Sequence, residues 1–163
     1  MHGQLDPCGW KKNPMGGLSR RYSKVHKLKS EGKNPIILDA GDLLFSTTNL
    51  NKNNIESEEY RASAVLEGYG KIGCDAINVG KYELLNGLTF LKKMSNTTDI
   101  PFLSANLRNA KTKQLLFQPY IIVKRGDLSV GIIGVSSLLP DTSTVVFADD
   151  FIQAGNSYID KLS

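Results

Sequence analysis

The sequence has little of what staples a chain together or carries it across a membrane. It contains two cysteines, Cys8 and Cys74, among 163 residues. Two thiols do not make a disulfide framework, and neither belongs to a Cys-x-x-Cys pair, so a zinc ribbon has no support. Whether the two bridge each other stays open. Cys74 follows Ile72-Gly73 just ahead of an apolar run and reads as a small buried residue. No apolar run approaches the roughly 20 residues of a membrane-crossing helix. Met1-His2-Gly3-Gln4 shows no basic region followed by an apolar stretch. No signal-peptide pattern is therefore expected in this chain, although a longer parent could have one. There is no internal repeat. Histidine is equally scarce, with only His2 and His26. His26 lies between Val25 and Lys27 in a basic segment and reads as a solvated helix position.

What is present is ordinary globular composition. Hydrophobic residues make up 40% and charged residues 22% of the chain. At this length one domain, residues 1–163, is the default expectation, with enough chain to bury a core. The net charge is +4. Much of the positive charge crowds into Lys11–Lys33, the pattern of a helix with a solvated basic face. That segment has no aromatic interleaving of the kind that stacks bases, so nucleic-acid binding is not expected. Attraction of an anionic phosphoester is a milder use of the same field.

Residues 1–15 read as loop. Leu18, Tyr22, Val25 and Leu28 then recur at spacings of three and four, which predicts a helix with one apolar stripe. A buried strand follows around Ile36–Leu38, then an Asn-rich loop from Ser46 to Asn54. A second helix is expected over Glu56–Lys71, with Ala62, Val65, Leu66 and Tyr69 on its buried face. Strand Ala76–Val79, helix Glu83–Met94 and strand Phe102–Ala105 come next. Pro119–Val123 and Leu128–Val135 read as a hairpin turning at Lys124-Arg125-Gly126-Asp127. The Arg-Gly-Asp triplet is better explained by that turn than as an adhesion signal. A last helix is expected over Asp149–Leu162. Strand and helix alternate as far as residue 106, which predicts an α/β fold: a mixed sheet with flanking helices and an antiparallel addition late in the chain.

One place in this pattern invites chemistry. The run Pro35-Ile36-Ile37-Leu38 breaks abruptly into Asp39-Ala40-Gly41-Asp42. Asp42 would stand just past the carboxyl end of a buried strand, where open α/β sheets place their ligand crevices. Gly41 removes a side chain beside it. A carboxylate there is a candidate ligand for a divalent cation. Loop-forming chemistry accounts for the same residues.

Three segments extend that reading: His2-Gly3-Gln4-Leu5-Asp6-Pro7, then Leu38-Asp39-Ala40-Gly41-Asp42, then Asn78-Val79-Gly80-Lys81-Tyr82-Glu83 with Phe102-Leu103-Ser104-Ala105-Asn106-Leu107 behind it. In this order they resemble the N-terminal part of the calcineurin-like metallophosphoesterases, in the 5′-nucleotidase and UDP-sugar hydrolase branch. The resemblance implies a fragment of an αββα sandwich and a metal-dependent phosphoester hydrolase with two divalent metal ions. It makes Asp42 the bridging metal ligand and His2 the histidine of the family's opening Asp-x-His-Gly motif. The substrate it implies is a small-molecule phosphoester or nucleotide, and the location of the parent is periplasmic or secreted.

The sequence also departs from the family. The Asp of the opening motif would precede Met1. The Gly-Asn-His-Glu motif falls on Gly80-Lys81-Tyr82-Glu83, so Lys81 replaces a metal-ligating Asn and Tyr82 a phosphate-facing His. A charged lysine has donors and no lone pair to give. Lys81 and Tyr82 are therefore expected either to face phosphate as catalytic replacements or to be a polar strand end. A single, incomplete domain with weak or no activity is expected, one that need not bind the family's metals. The alternative is a non-catalytic relative that binds a phosphorylated ligand or a protein partner. Trp10 stands where the branch often has a second cysteine. It reads as an aromatic lid, a buried anchor or a misread selenocysteine codon.

Overall fold

The computed structural model describes residues 3–7, 16–140 and 145–162. Helix α1, Leu18–Ser30, is anchored at its start where the Leu18 N–H donates to the Leu5 carbonyl (2.9 Å). Val25 is buried and Leu18 and Leu28 are half-buried, as the stripe predicts. Tyr22 is the exception. It is exposed beside the ring of His26, at a centroid distance of 5.8 Å. Arg21 turns inward instead, drawn by the buried carboxylate of Asp39.

A βαβαβ unit follows, made of β1 (Leu38–Asp39), α2 (Ile55–Ile72), β2 (Ala76–Asn78), α3 (Gly87–Ser95) and β3 (Phe102–Leu103). The strands are parallel in the order β1-β2-β3, with Leu38 opposite Ala76 and Ile77 opposite Phe102. The first strand sits later than the apolar run suggests. Ile37 spends its N–H on the Asp75 carboxylate (2.8 Å) and its carbonyl on the Asp75 N–H (2.7 Å), so the ladder begins at Leu38. Helix α2 carries Glu56 and Glu58 in its first turn, where the helix dipole favours acids, and closes on left-handed Gly73. Its buried face contains the expected Ala62, Val65, Leu66 and Tyr69.

The predicted helix Glu83–Met94 is broken in two. A single 3-10 turn, Tyr82–Leu84, is separated from α3 by Leu85 and Asn86, and Gly87, where α3 starts, has a φ of 76°. A left-handed residue cannot continue a right-handed helix, so the chain restarts there.

The late antiparallel addition is two pairs. Strand β5 (Tyr120–Arg125) pairs with β6 (Leu128–Ile133) across the two-residue turn Gly126-Asp127, and β4 (Leu107–Asn109) pairs with β7 (Val146–Ala148). Arg125 of the Arg-Gly-Asp triplet binds Asp75, which confirms its structural employment. The hairpin joins β3 through a parallel bridge, Leu103–Gln118, and through the Ala105 N–H to the Gly134 carbonyl (2.7 Å). Helix α4, Phe151–Leu162, closes the chain.

The core lies between the parallel strands and α2 and α3. Leu43, Leu44 and Phe45 plunge into it directly after Asp42, with Phe45 against Phe90. Burying each of these side chains stabilises the fold by about 1.5–3 kcal/mol, which holds the loop ahead of them at the sheet edge. Cys74 is buried and free, in line with its reading as a small core residue. Among the described residues no helix is long and apolar enough to cross a membrane.

Candidate functional site

Strands β1 and β2 are neighbours, so their carboxyl ends deliver Gly41-Asp42 and Gly80-Lys81-Tyr82-Glu83 to the same place. The two loops touch. A methyl group added to Gly41 would fall 2.7 Å from the Gly80 nitrogen, and one added to Gly80 would fall 2.5 Å from Oδ1 of Asp42. Asp42 has a φ of 54°, the left-handed region that Asp tolerates better than most residues. Its Oδ1 accepts the Tyr82 N–H at 2.7 Å. Asp42, Lys81 and Tyr82, named separately from the sequence, therefore form one half-buried cluster.

Glu83 is the structural centre of that cluster and is fully buried. Its Oε2 accepts the N–H groups of Asp42 (2.7 Å) and Gly80 (2.8 Å). Its Oε1 accepts those of Leu43 and Leu44. Burial pushes the Glu83 carboxyl up from the usual carboxylate range. The donors of Leu43, Asp42 and Gly80 pull it back, and the Asp42 charge adds a further upward push.

On the helix side, Asp39 fixes the beginning of the same loop. Oδ1 accepts the Gly41 N–H (3.1 Å) and Oδ2 accepts the Tyr69 hydroxyl (2.6 Å), with Arg21 beside both. Burial, followed by the adjacent Asp39 carboxylate, pushes the Tyr69 phenol above its ordinary value. A buried hub supports β2 from the other side. Asn106 accepts the Ser136 N–H (2.9 Å) and donates to the carbonyls of Ser136 (2.7 Å) and Asp149 (3.0 Å), while the Ser136 hydroxyl donates to the carbonyl of Val79.

Gly3 is pinned next to this cluster. Its N–H donates to the Leu43 carbonyl (2.8 Å), and its own carbonyl accepts from Arg61 (3.2 Å). His2, proposed from the sequence as a metal ligand, lies outside the described residues, as do Cys8 and Trp10.

Of the residues that organise the site, the sequence pointed to no site role for Glu83, Asp39 or Asn106, and it placed Tyr69 only on the buried face of α2. A signal for Glu83 was available. Gly80-x-x-Glu83 has the spacing at which an acid reaches back to an N-cap amide. Nothing local marks Asn106.

A dinuclear centre needs several nitrogen and oxygen ligands around each ion. Among the described residues no group of three or more His, Cys, Asp and Glu side chains gathers to hold one. Asp42 offers one carboxylate, both Glu83 oxygens are engaged by amides, and Lys81 is a cation. The described residues taken alone do not fit a two-metal site.

No family model matches the chain. Curated relatives do. The chain is 36% identical over 121 residues to Protein UshA of Salmonella pullorum, covering 74% of this chain and 22% of that protein. It is 30% identical over 157 residues to the 5′-nucleotidase of Bos taurus, covering 91% of this chain and 26% of that protein. The chain thus spans about a quarter of the length of these relatives. Its fold matches a 5′-nucleotidase precursor from Thermus thermophilus with a TM-score of 0.78 at 24% identity, over 99% of this chain and 32% of that one. It also matches the calcineurin-like phosphoesterase YfkN of Bacillus subtilis with a TM-score of 0.73 at 20% identity, over 98% of this chain and 55% of that one. With the ordered motifs, the adjoining strand ends and these likenesses in hand, the chain belongs to the calcineurin-like metallophosphoesterases, in their 5′-nucleotidase branch.

Proposed function

We propose that residues 1–163 form a phosphoester-hydrolase domain of the 5′-nucleotidase type, taking a small phosphomonoester or nucleotide at the Asp42 and Gly80–Glu83 loops. The observation that carries this reading is the contact between those loops at the carboxyl ends of adjacent parallel strands. Asp42 contributes a carboxylate suited to a divalent cation. The Lys81 ammonium is a compact positive charge and the Tyr82 hydroxyl a donor, the two group types that bind phosphate oxygens. The family's divalent ions supply Lewis-acid chemistry when bound. The reading also implies a periplasmic or secreted location.

The presence of Lys81 in place of a neutral ligand favours a second reading, a relative that binds a phosphorylated ligand without turning it over. One experiment separates the two. The chain is titrated with Mn²⁺ and with inorganic phosphate, then incubated with AMP and with bis(p-nitrophenyl) phosphate. Hydrolysis that disappears in Asp42→Ala supports the hydrolase. Saturable phosphate binding with no turnover supports the binding relative. Absence of both phosphate binding and turnover would end the phosphoester reading.

A further inference from the structure

The loops that carry Asp42 and Tyr82 come from different strands and are 40 positions apart. Their ladder contacts end at Asp39–Ile77, before either functional residue is reached. Something else must hold the two loops in register. We propose that Glu83 is the positioning residue of this site: a buried clasp that fixes the Asp42 carboxylate against the Lys81–Tyr82 turn. Its importance for function rests on the phosphoester reading above.

The geometry is reciprocal. Glu83 takes amides from Asp42, Leu43 and Leu44 on one loop and from Gly80 on the other. Asp42 in return takes the Tyr82 amide. A carboxylate has about four lone-pair sites, and four N–H groups occupy them, so Glu83 has nothing left to offer a cation. It therefore acts through Asp42. The bond from the Asp42 N–H to Glu83 also supports the sparsely populated left-handed backbone at that residue. Glutamine cannot replace it, because a side-chain NH₂ would face backbone N–H donors. These bonds to a charged acceptor are worth roughly twice a neutral one, which gives the clasp its leverage.

Amide hydrogen exchange on the whole chain tests this in Glu83→Gln, with Val65→Ala as a core-destabilised reference. The Tyr82 N–H donates to Oδ1 of Asp42, so its protection reports on whether the Asp42 carboxylate stays in place. In Glu83→Gln its protection should fall about tenfold or more relative to the sheet amides of Ile77 and Val79. In Val65→Ala the three should fall together. Unchanged relative protection at Tyr82 in Glu83→Gln, or a uniform loss like that of Val65→Ala, overturns the clasp. A parallel titration with inorganic phosphate should show weakened binding in Glu83→Gln and retained binding in folded Val65→Ala. Wild-type chain that binds no phosphate would sink the phosphoester reading and leave the Tyr82 amide to decide the role of Glu83.

Discussion

The Tyr69 hydroxyl donates to Oδ2 of Asp39 at 2.6 Å, and Oδ1 of the same carboxylate accepts the Gly41 N–H at 3.1 Å. A side chain of α2 thus reaches through β1 to the loop that bears Asp42. Removing the hydroxyl leaves a buried carboxylate short of one partner. Tyr69→Phe should cost about 1–3 kcal/mol. For a chain of this size that lowers Tm by about 2–4 °C per kcal/mol, read by thermal unfolding. An unchanged Tm would remove Asp39 from the loop's support.

Gly80 is where the two loops meet. Its α-carbon faces Oδ1 and the N–H of Asp42 and Oε2 of Glu83, all closer than 3.0 Å to where a methyl would stand. Gly80→Ala should therefore displace Asp42 and cost about 1–3 kcal/mol. Gly126→Ala is the comparison. That glycine has positive φ but open space around it, so its cost should come from backbone strain alone. Equal destabilisation of the two by denaturant titration would show that the loops yield freely.

Lys81 offers a test by charge. Lys81 lies on the loop that touches Asp42, and a positive charge there disfavours a divalent cation, so replacing it with a neutral side chain that has a carbonyl oxygen removes the repulsion and offers a ligand. Lys81→Asn should bind Mn²⁺ about tenfold more tightly and inorganic phosphate more weakly, both read by calorimetry. A gain or loss of the same sign for the two ions would contradict the phosphate-facing role.

Burial pushes the Cys74 thiol up to about 12 from an ordinary 9.0. The folded state prefers the protonated thiol, so the contribution to stability is intact below pH 9 and is lost as pH rises from 9 towards 12. Cys74 should resist alkylation at about pH 8 in the native chain and react in the unfolded chain. Cys74→Ala should flatten the alkaline decline of stability between about pH 9 and 10. A decline as steep as wild type would assign it to other groups, Tyr69 foremost.

Much of the architecture was legible from residue order. The stripe of α2, the alternation of strand and helix and the existence of the hairpin follow from periodicity and turn chemistry, which act over a few neighbouring residues, while its turn proved two residues shorter than the Lys124–Asp127 segment expected. The placement of Asp42 at a strand end was legible for the same reason. The break at Asn86-Gly87 was not, because leucine spacing across Leu84, Leu88 and Leu91 looks helical whether or not a left-handed glycine interrupts it.

The sequence alone determined which segments are apolar on one face, and hence the parallel strands, the helices that cross between them and the carboxylate left at their edge. Only the tertiary structure decided that Arg21 turns in while Tyr22 turns out, that Glu83 belongs to four amides, and that Asn106 ties Ser136 to Asp149. The reason is physical. Burial of a face is a local pattern repeated every few residues, whereas a buried polar group must be satisfied by whichever partner the fold brings to it, here as far as 43 positions away.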